Sequence, residues 1–126
     1  MRAVDTNVLV RLLTRDDPKQ LAAAELFVQV GAWISHLVLL EAVCVLDAVY
    51  RVKPEQIATG VEMLLDHQAL VVQDAETVKT AVAHYRKHPR LGFSDCLILA
   101  VAHRAGHAPL GTFDRGLSKL PGTQKL

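Results

Sequence analysis

Cysteine is scarce in this 126-residue chain: only Cys44 and Cys96 occur. Both lie in apolar helical patterns and read as small core residues. Two such thiols exclude a disulfide framework and a cysteine-based zinc site, and they point to a reducing, cytoplasmic setting. Charge of one sign is also lacking. The formal net charge is +1, so any nucleic-acid surface must be local rather than global. The seven glycines stand singly, which excludes a glycine-rich phosphate loop. Of the six histidines, His103 and His107 carry a helical ligand spacing. No acid adjoins them and Gly106 intervenes, which disfavours a zinc site. No uncharged apolar run approaches the roughly 18 residues of a membrane span, so no membrane partner is expected. Asp5 interrupts the N-terminus too early for a signal peptide.

What the chain has is apolar substance, 51% of its residues against 21% charged. That balance suits a single globular domain over residues 1–126. Proline and glycine fall between periodic segments as punctuation. Residues 2–5 predict a short strand and the following residues a helix to about Leu13. Asp17-Pro18 predicts a helix start, with Asp as cap and Pro in the first turn. Residues 32–35 predict a strand and 36–51 an apolar helix. Lys53-Pro54 opens another helix, residues 69–73 a strand, and Asp74 a helix ending near Pro89. A helix over 94–105, a strand over 109–113 and a short last strand within 120–126 complete the pattern. Strands alternating with helices imply right-handed crossovers and a parallel sheet. The expected fold class is α/β, three-layered α/β/α, with a short parallel sheet of four to five strands.

Four carboxylates stand out from this apolar background: Asp5, Glu41, Asp95 and Asp114. On a helix, Glu41 has Leu37, Val38, Cys44 and Val45 as neighbours, which predicts that it points into the buried face. An unpaired buried carboxylate costs several kcal/mol or takes up a proton. Asp5 ends the first predicted strand, Asp114 follows a later one, and Asp95 opens a helix. In parallel sheets the carboxyl ends of the strands form the ligand edge, so the four acids are expected to meet there. Converging carboxylates suggest a divalent cation. Simpler roles compete. Asp5 and Asp95 suit helix starts, Asp114 suits a turn, and Glu41 could pair with a distant base. Asp16-Asp17 reads as a solvated turn and cap, and Asp47 as an (i, i+4) partner of Arg51. Cys96 reads as a packed thiol, because no histidine is placed to activate it.

The ordered set Asp5-Thr6-Asn7, Ser35 with Glu41, Gly92-Phe-Ser-Asp95-Cys-Leu-Ile-Leu-Ala100 and Thr112-Phe-Asp114 resembles the PIN domain. Within that family it looks closest to the VapC toxins of prokaryotic toxin–antitoxin pairs. The resemblance spans essentially the whole chain. It departs after the last acid, where relatives often carry an aromatic and this chain has Gly116-Leu117. The resemblance implies a Mg²⁺- or Mn²⁺-dependent endoribonuclease using one or two ions held by Asp5, Glu41, Asp95 and Asp114. Asp5 and Asp95 are the expected direct ligands. Thr6, Asn7, Ser35 and Thr112 would orient carboxylates or water. Arg115, and then Arg86, Lys87 and Arg90, are the candidate RNA contacts. It also implies a homodimer and a cognate antitoxin protein.

Rival readings are a non-catalytic PIN-like interaction module, a structure-specific DNA nuclease and a haloacid-dehalogenase-like phosphatase. The last would use Asp5 as nucleophile and expects an Asp at position 7, where this chain has Asn7.

Overall fold

Helix starts are set by local chemistry. In the computed structural model, which describes residues 1–126, Asp5 Oδ1 accepts a hydrogen bond from the Val8 amide at 3.2 Å and caps α1 (Thr6–Thr14). Asp17 Oδ1 accepts from the Gln20 amide at 3.1 Å, and Pro18 opens α2 (Pro18–Val28). Ser35 Oγ accepts from the Val38 amide at 3.1 Å, capping α3 (His36–Ala48). Each side chain satisfies one of the amides a helix N-terminus leaves without an intrahelical partner. Lys53 precedes α4 (Pro54–Asp66) without a side-chain cap.

The chain forms two compact units, Met1–Ala75 and Glu76–Leu126. The first carries α1 to α4 and a three-stranded parallel sheet in the order β1 (Arg2–Ala3), β2 (Ala32–Ile34), β3 (Leu70–Val72). The register pairs Ala3 with Trp33, and Trp33 with Val71. Its core includes Leu9 of α1, Ile34 of β2, Leu39 of α3, and Ile57 and Val61 of α4, each at most 1% exposed. α1 packs against both α2 and α3.

The second unit carries α5 (Ala75–Lys87) apart from its first residue, α6 (Phe93–Arg104) and a two-stranded parallel sheet of β4 (Leu110–Thr112) with β5 (Thr123–Lys125). Two single-turn 3₁₀ segments lie at Pro89–Leu91 and Leu117–Lys119. Leu99, Leu117 and Leu120 form a small apolar cluster with Leu91 and Leu110 packed against it. The Tyr85 and Phe93 rings meet edge to face, with centroids 5.8 Å apart. Gly92 enters α6 at φ 83° and ψ 150°, a backbone region that is essentially glycine's alone.

The α/β class and the parallel strands are as expected. The single sheet of four to five strands is not. Two sheets, of three and two strands, take its place. Three residues of β4 find their ladder partner in β5 near the C-terminus, and apolar alternation carries no information about which strand pairs with which. The expected Asp47–Arg51 ion pair is also absent. α3 stops at Ala48, and Arg51 turns into the left-handed region at φ 53°, so the two side chains no longer share a helix surface. No helix is long and apolar enough to cross a membrane.

Candidate active site

In the first unit the parallel register sets Asp5 and Ser35 at the same, carboxyl, end of neighbouring strands. Gln73 follows β3 at that end. Its side-chain oxygen accepts from the His36 amide at 2.9 Å, tying β3 to the start of α3. Thr6, the first residue of α1, donates its hydroxyl to Glu41 Oε2 at 2.6 Å. Asp5 and Glu41 are thereby linked through Thr6 in two packed helices. A hydroxyl–carboxylate bond of this length is charge-assisted.

Glu41 does not enter the core. Its side chain is exposed, and so are Leu37 (76% exposed) and Cys44 on the same helical face. The buried face of α3 is Leu39, Ala42, Val43 and Leu46. The helix is apolar all round, so apolar neighbours around Glu41 could not identify the inward face. Cys44, expected in the core, is exposed for the same reason, whereas Cys96 is fully buried.

In the second unit, Asp95 sits in the first turn of α6 and Asp114 lies two residues beyond β4. Asp95 is half-buried. Removal from water, and then the negative charge of Asp114, push its carboxyl above the usual range. Asp114 is exposed and organises a turn. Its Oδ1 accepts from the Gly116 amide at 3.4 Å and its Oδ2 from the Leu117 amide at 3.2 Å. Thr112 Oγ1 accepts from the Asp114 amide at 3.0 Å. Gly116 has an ordinary φ of −68° but is approached closely by a side chain. A Cβ would lie 2.9 Å from Leu91 Cδ2. A larger residue at the position would require the Leu91 side chain to shift. Burial pushes the neighbouring Cys96 thiol up to about 11, so it stays protonated and is no nucleophile at neutral pH.

The chain matches the PIN domain family model over residues 2–122. It belongs to the PIN domain family. PIN domains are generally nucleases, and the family match separates this chain from haloacid-dehalogenase-like phosphatases. No match was found among curated proteins or among solved structures.

Within this PIN domain, no group of three or more His, Cys, Asp or Glu side chains is gathered closely enough to hold a metal ion by itself. The acids form the Thr6-linked pair of the first unit and the mutually repelling pair of the second. Of the other expected residues, Thr6, Ser35 and Thr112 make the polar contacts described above, and Asn7 is exposed on α1. Arg86, Lys87, Arg90 and Arg115 are all exposed. The sequence pattern did not point to Gln73. Nor did it point to the role of Asp16, which is no mere solvated turn. Asp16 accepts from Thr14 Oγ1 at 2.7 Å, Arg11 at 2.6 Å and Tyr50 Oη at 3.0 Å. The Thr14 contact first, then Tyr50 and Arg11, hold its carboxyl below the usual range.

Proposed function

We propose that this PIN domain is a Mg²⁺- or Mn²⁺-dependent endoribonuclease and the toxin of a toxin–antitoxin pair. The observation that carries the metal dependence is the Asp95–Asp114 pair, in which burial and then the Asp114 charge raise the cost of ionising the Asp95 carboxyl. The donor chemistry fits a hard cation. Mg²⁺ is commonly held by one or two carboxylates and keeps several waters, so a pair suffices where three ligands are not gathered. Asp95 and Asp114 would hold the ion in the second unit, and Asp5 and Glu41 are acids of the same chemistry in the first. When bound, the ion supplies an activated water and neutralises phosphate charge.

The chain's own residues do the rest. Thr6 fixes the Glu41 carboxylate by donating to Oε2, leaving Oε1 free to accept a proton or a water. Asp5 keeps one oxygen on the Val8 amide, which fixes the direction of the other. The Gly116 and Leu117 amides hold both Asp114 oxygens and thereby its orientation. Arg115, Arg86, Lys87 and Arg90 would attract substrate phosphates.

The partners in this reading are a second copy of the chain and an antitoxin. It draws support from exposed apolar side chains: Leu37 and Val49 on and beyond α3 are 76% and 69% exposed. Such side chains are candidates for cover by another chain.

The test is cleavage of a panel of RNA and DNA strands by purified protein with Mn²⁺, beside Asp95→Asn. RNA cleavage abolished in the variant is the expected result. Preference for DNA would turn the reading to a DNA nuclease. Inert wild-type protein would leave an interaction module. For the toxin role, expression without the partner should arrest growth, and Asp95→Asn should relieve the arrest. Harmless expression of soluble wild-type chain would remove that role.

A further inference from the structure

The near-zero net charge conceals a strong asymmetry. Met1–Ala75 holds six Lys and Arg against ten Asp and Glu, a net of −4. Glu76–Leu126 holds eight against three, a net of +5, with four of the six histidines besides. Much of the positive charge lies around the ends of α5 and α6. His84 and His88 are one helical turn apart, with the His88 amide donating to the His84 carbonyl at 2.9 Å. Lys87 lies between them and Arg90 follows in the 3₁₀ turn. His103 and Arg104 end α6. The His103 ring lies over Gly122, where a Cβ would stand 3.5 Å from Nε2.

The groups that face His84 are His88, Lys87 and His103, all bases. Removal from water first, then His88, Lys87 and His103 in that order, hold its imidazole below the usual value. Lys87, Arg90 and Arg104 take part in none of the ion pairs of the chain. Bases that suppress the charge of His84 are the converse of Asp114 beside Asp95, and an anion relieves them in the same way that a cation relieves the acids.

We propose that His84, His88 and His103, with Lys87, form a proton-linked site for the phosphodiester backbone of single-stranded RNA. The site shares no residue with the acids and rests on the nuclease reading for its choice of anion. A phosphate between these bases favours their charged forms. Binding therefore takes up protons, and affinity rises as pH falls through the histidine range. Surface lysines acting alone would bind without that linkage.

The experiment is binding of a fluorescent single-stranded RNA in EDTA between pH 8 and pH 6, so that cleavage plays no part. Each proton taken up steepens the response towards about tenfold per pH unit, so uptake of one to two protons is expected to raise affinity by about ten- to a hundredfold per pH unit. His88→Gln with His103→Gln should flatten this response. It should also lower the log–log salt slope by about 0.7 for each phosphate that the variant no longer neutralises. His84 is partly buried, so His84→Gln is a second variant, accepted only with an unchanged thermal melt. Imidazole NMR supplies an independent reading: added RNA should raise the titration midpoint of His84. Affinity that ignores pH, or an equal pH response in the His88/His103 variant, overturns the proposal. Proton-linked binding by a protein that never cleaves RNA with Mn²⁺ upholds this site while the nuclease reading fails.

Discussion

Thr6→Val tests whether the bond to Glu41 matters to both fold and chemistry. Valine keeps the size and the β-branch of threonine and removes only the hydroxyl. The α1 cap is untouched, because it comes from the Asp5 carboxylate. A hydrogen bond to a charged group contributes about 1.5–3 kcal/mol when enclosed. Here Glu41 is exposed and Thr6 half-buried, so water replaces part of the missing bond and the expected cost is about 1 kcal/mol. For a chain of this length that is roughly a 3–5 °C fall in Tm. Urea denaturation of Thr6→Val, Glu41→Ala and the double variant isolates the pair, with an expected coupling of about 0.5–1 kcal/mol. Thr6 is a positioning residue, so Mn²⁺-dependent cleavage should fall about tenfold in Thr6→Val. Thr6→Ser, which restores the hydroxyl, should recover it. A coupling below about 0.2 kcal/mol would refute the energetic reasoning. Cleavage that ignores the hydroxyl, equal in Thr6→Val and Thr6→Ser, would refute the positioning role.

Asp5→Ala should cost about 1 kcal/mol through removal of the α1 cap, whereas Asp5→Asn should cost a few tenths at most while still removing cleavage; chemical denaturation beside an RNA assay separates the two effects. Asp95 has its folded-state carboxyl raised, so its contribution to stability is present below the unfolded value of 3.8 and is lost as pH rises through the folded value. Urea curves from pH 3.5 to 7 without metal should therefore move in favour of Asp95→Asn relative to wild type, and movement the other way contradicts the burial and repulsion argument. With Cys96 buried and held protonated to about 11 and Cys44 exposed, a thiol reagent at pH 7.5 should label one cysteine quickly, and peptide mapping should find it at Cys44.

Local chemistry was the legible part of this sequence. Asp17-Pro18 and Lys53-Pro54 mark their helices because a cap and a fixed φ act within one turn. Asp5, Asp95 and Asp114 can be placed at strand ends and helix starts because those boundaries are themselves local. Of Thr6, Ser35 and Thr112, expected to orient carboxylates or water, only Thr6 touches a carboxylate; Ser35 caps α3 and Thr112 accepts from the Asp114 amide. The facing of Glu41 was not legible: an amphipathic argument needs a polar face for contrast, and α3 offers almost none. Nor was the division into two sheets, since strands of two or three residues encode no partner. The His84–His88 spacing is present in the sequence, but neither residue sits near an acid, the usual sign of a histidine at work.

Asp5 does two jobs with one side chain, since the carboxylate that would meet the metal also caps the first helix. Asparagine caps a helix equally well. An aspartate codon becomes an asparagine codon by a single base transition. On the proposed function, the step from active nuclease to inert, folded chain is therefore one nucleotide wide at this position. A lineage under pressure to disarm the protein could keep its folded surfaces at little cost in stability. Position 5 is where such silenced copies should first differ.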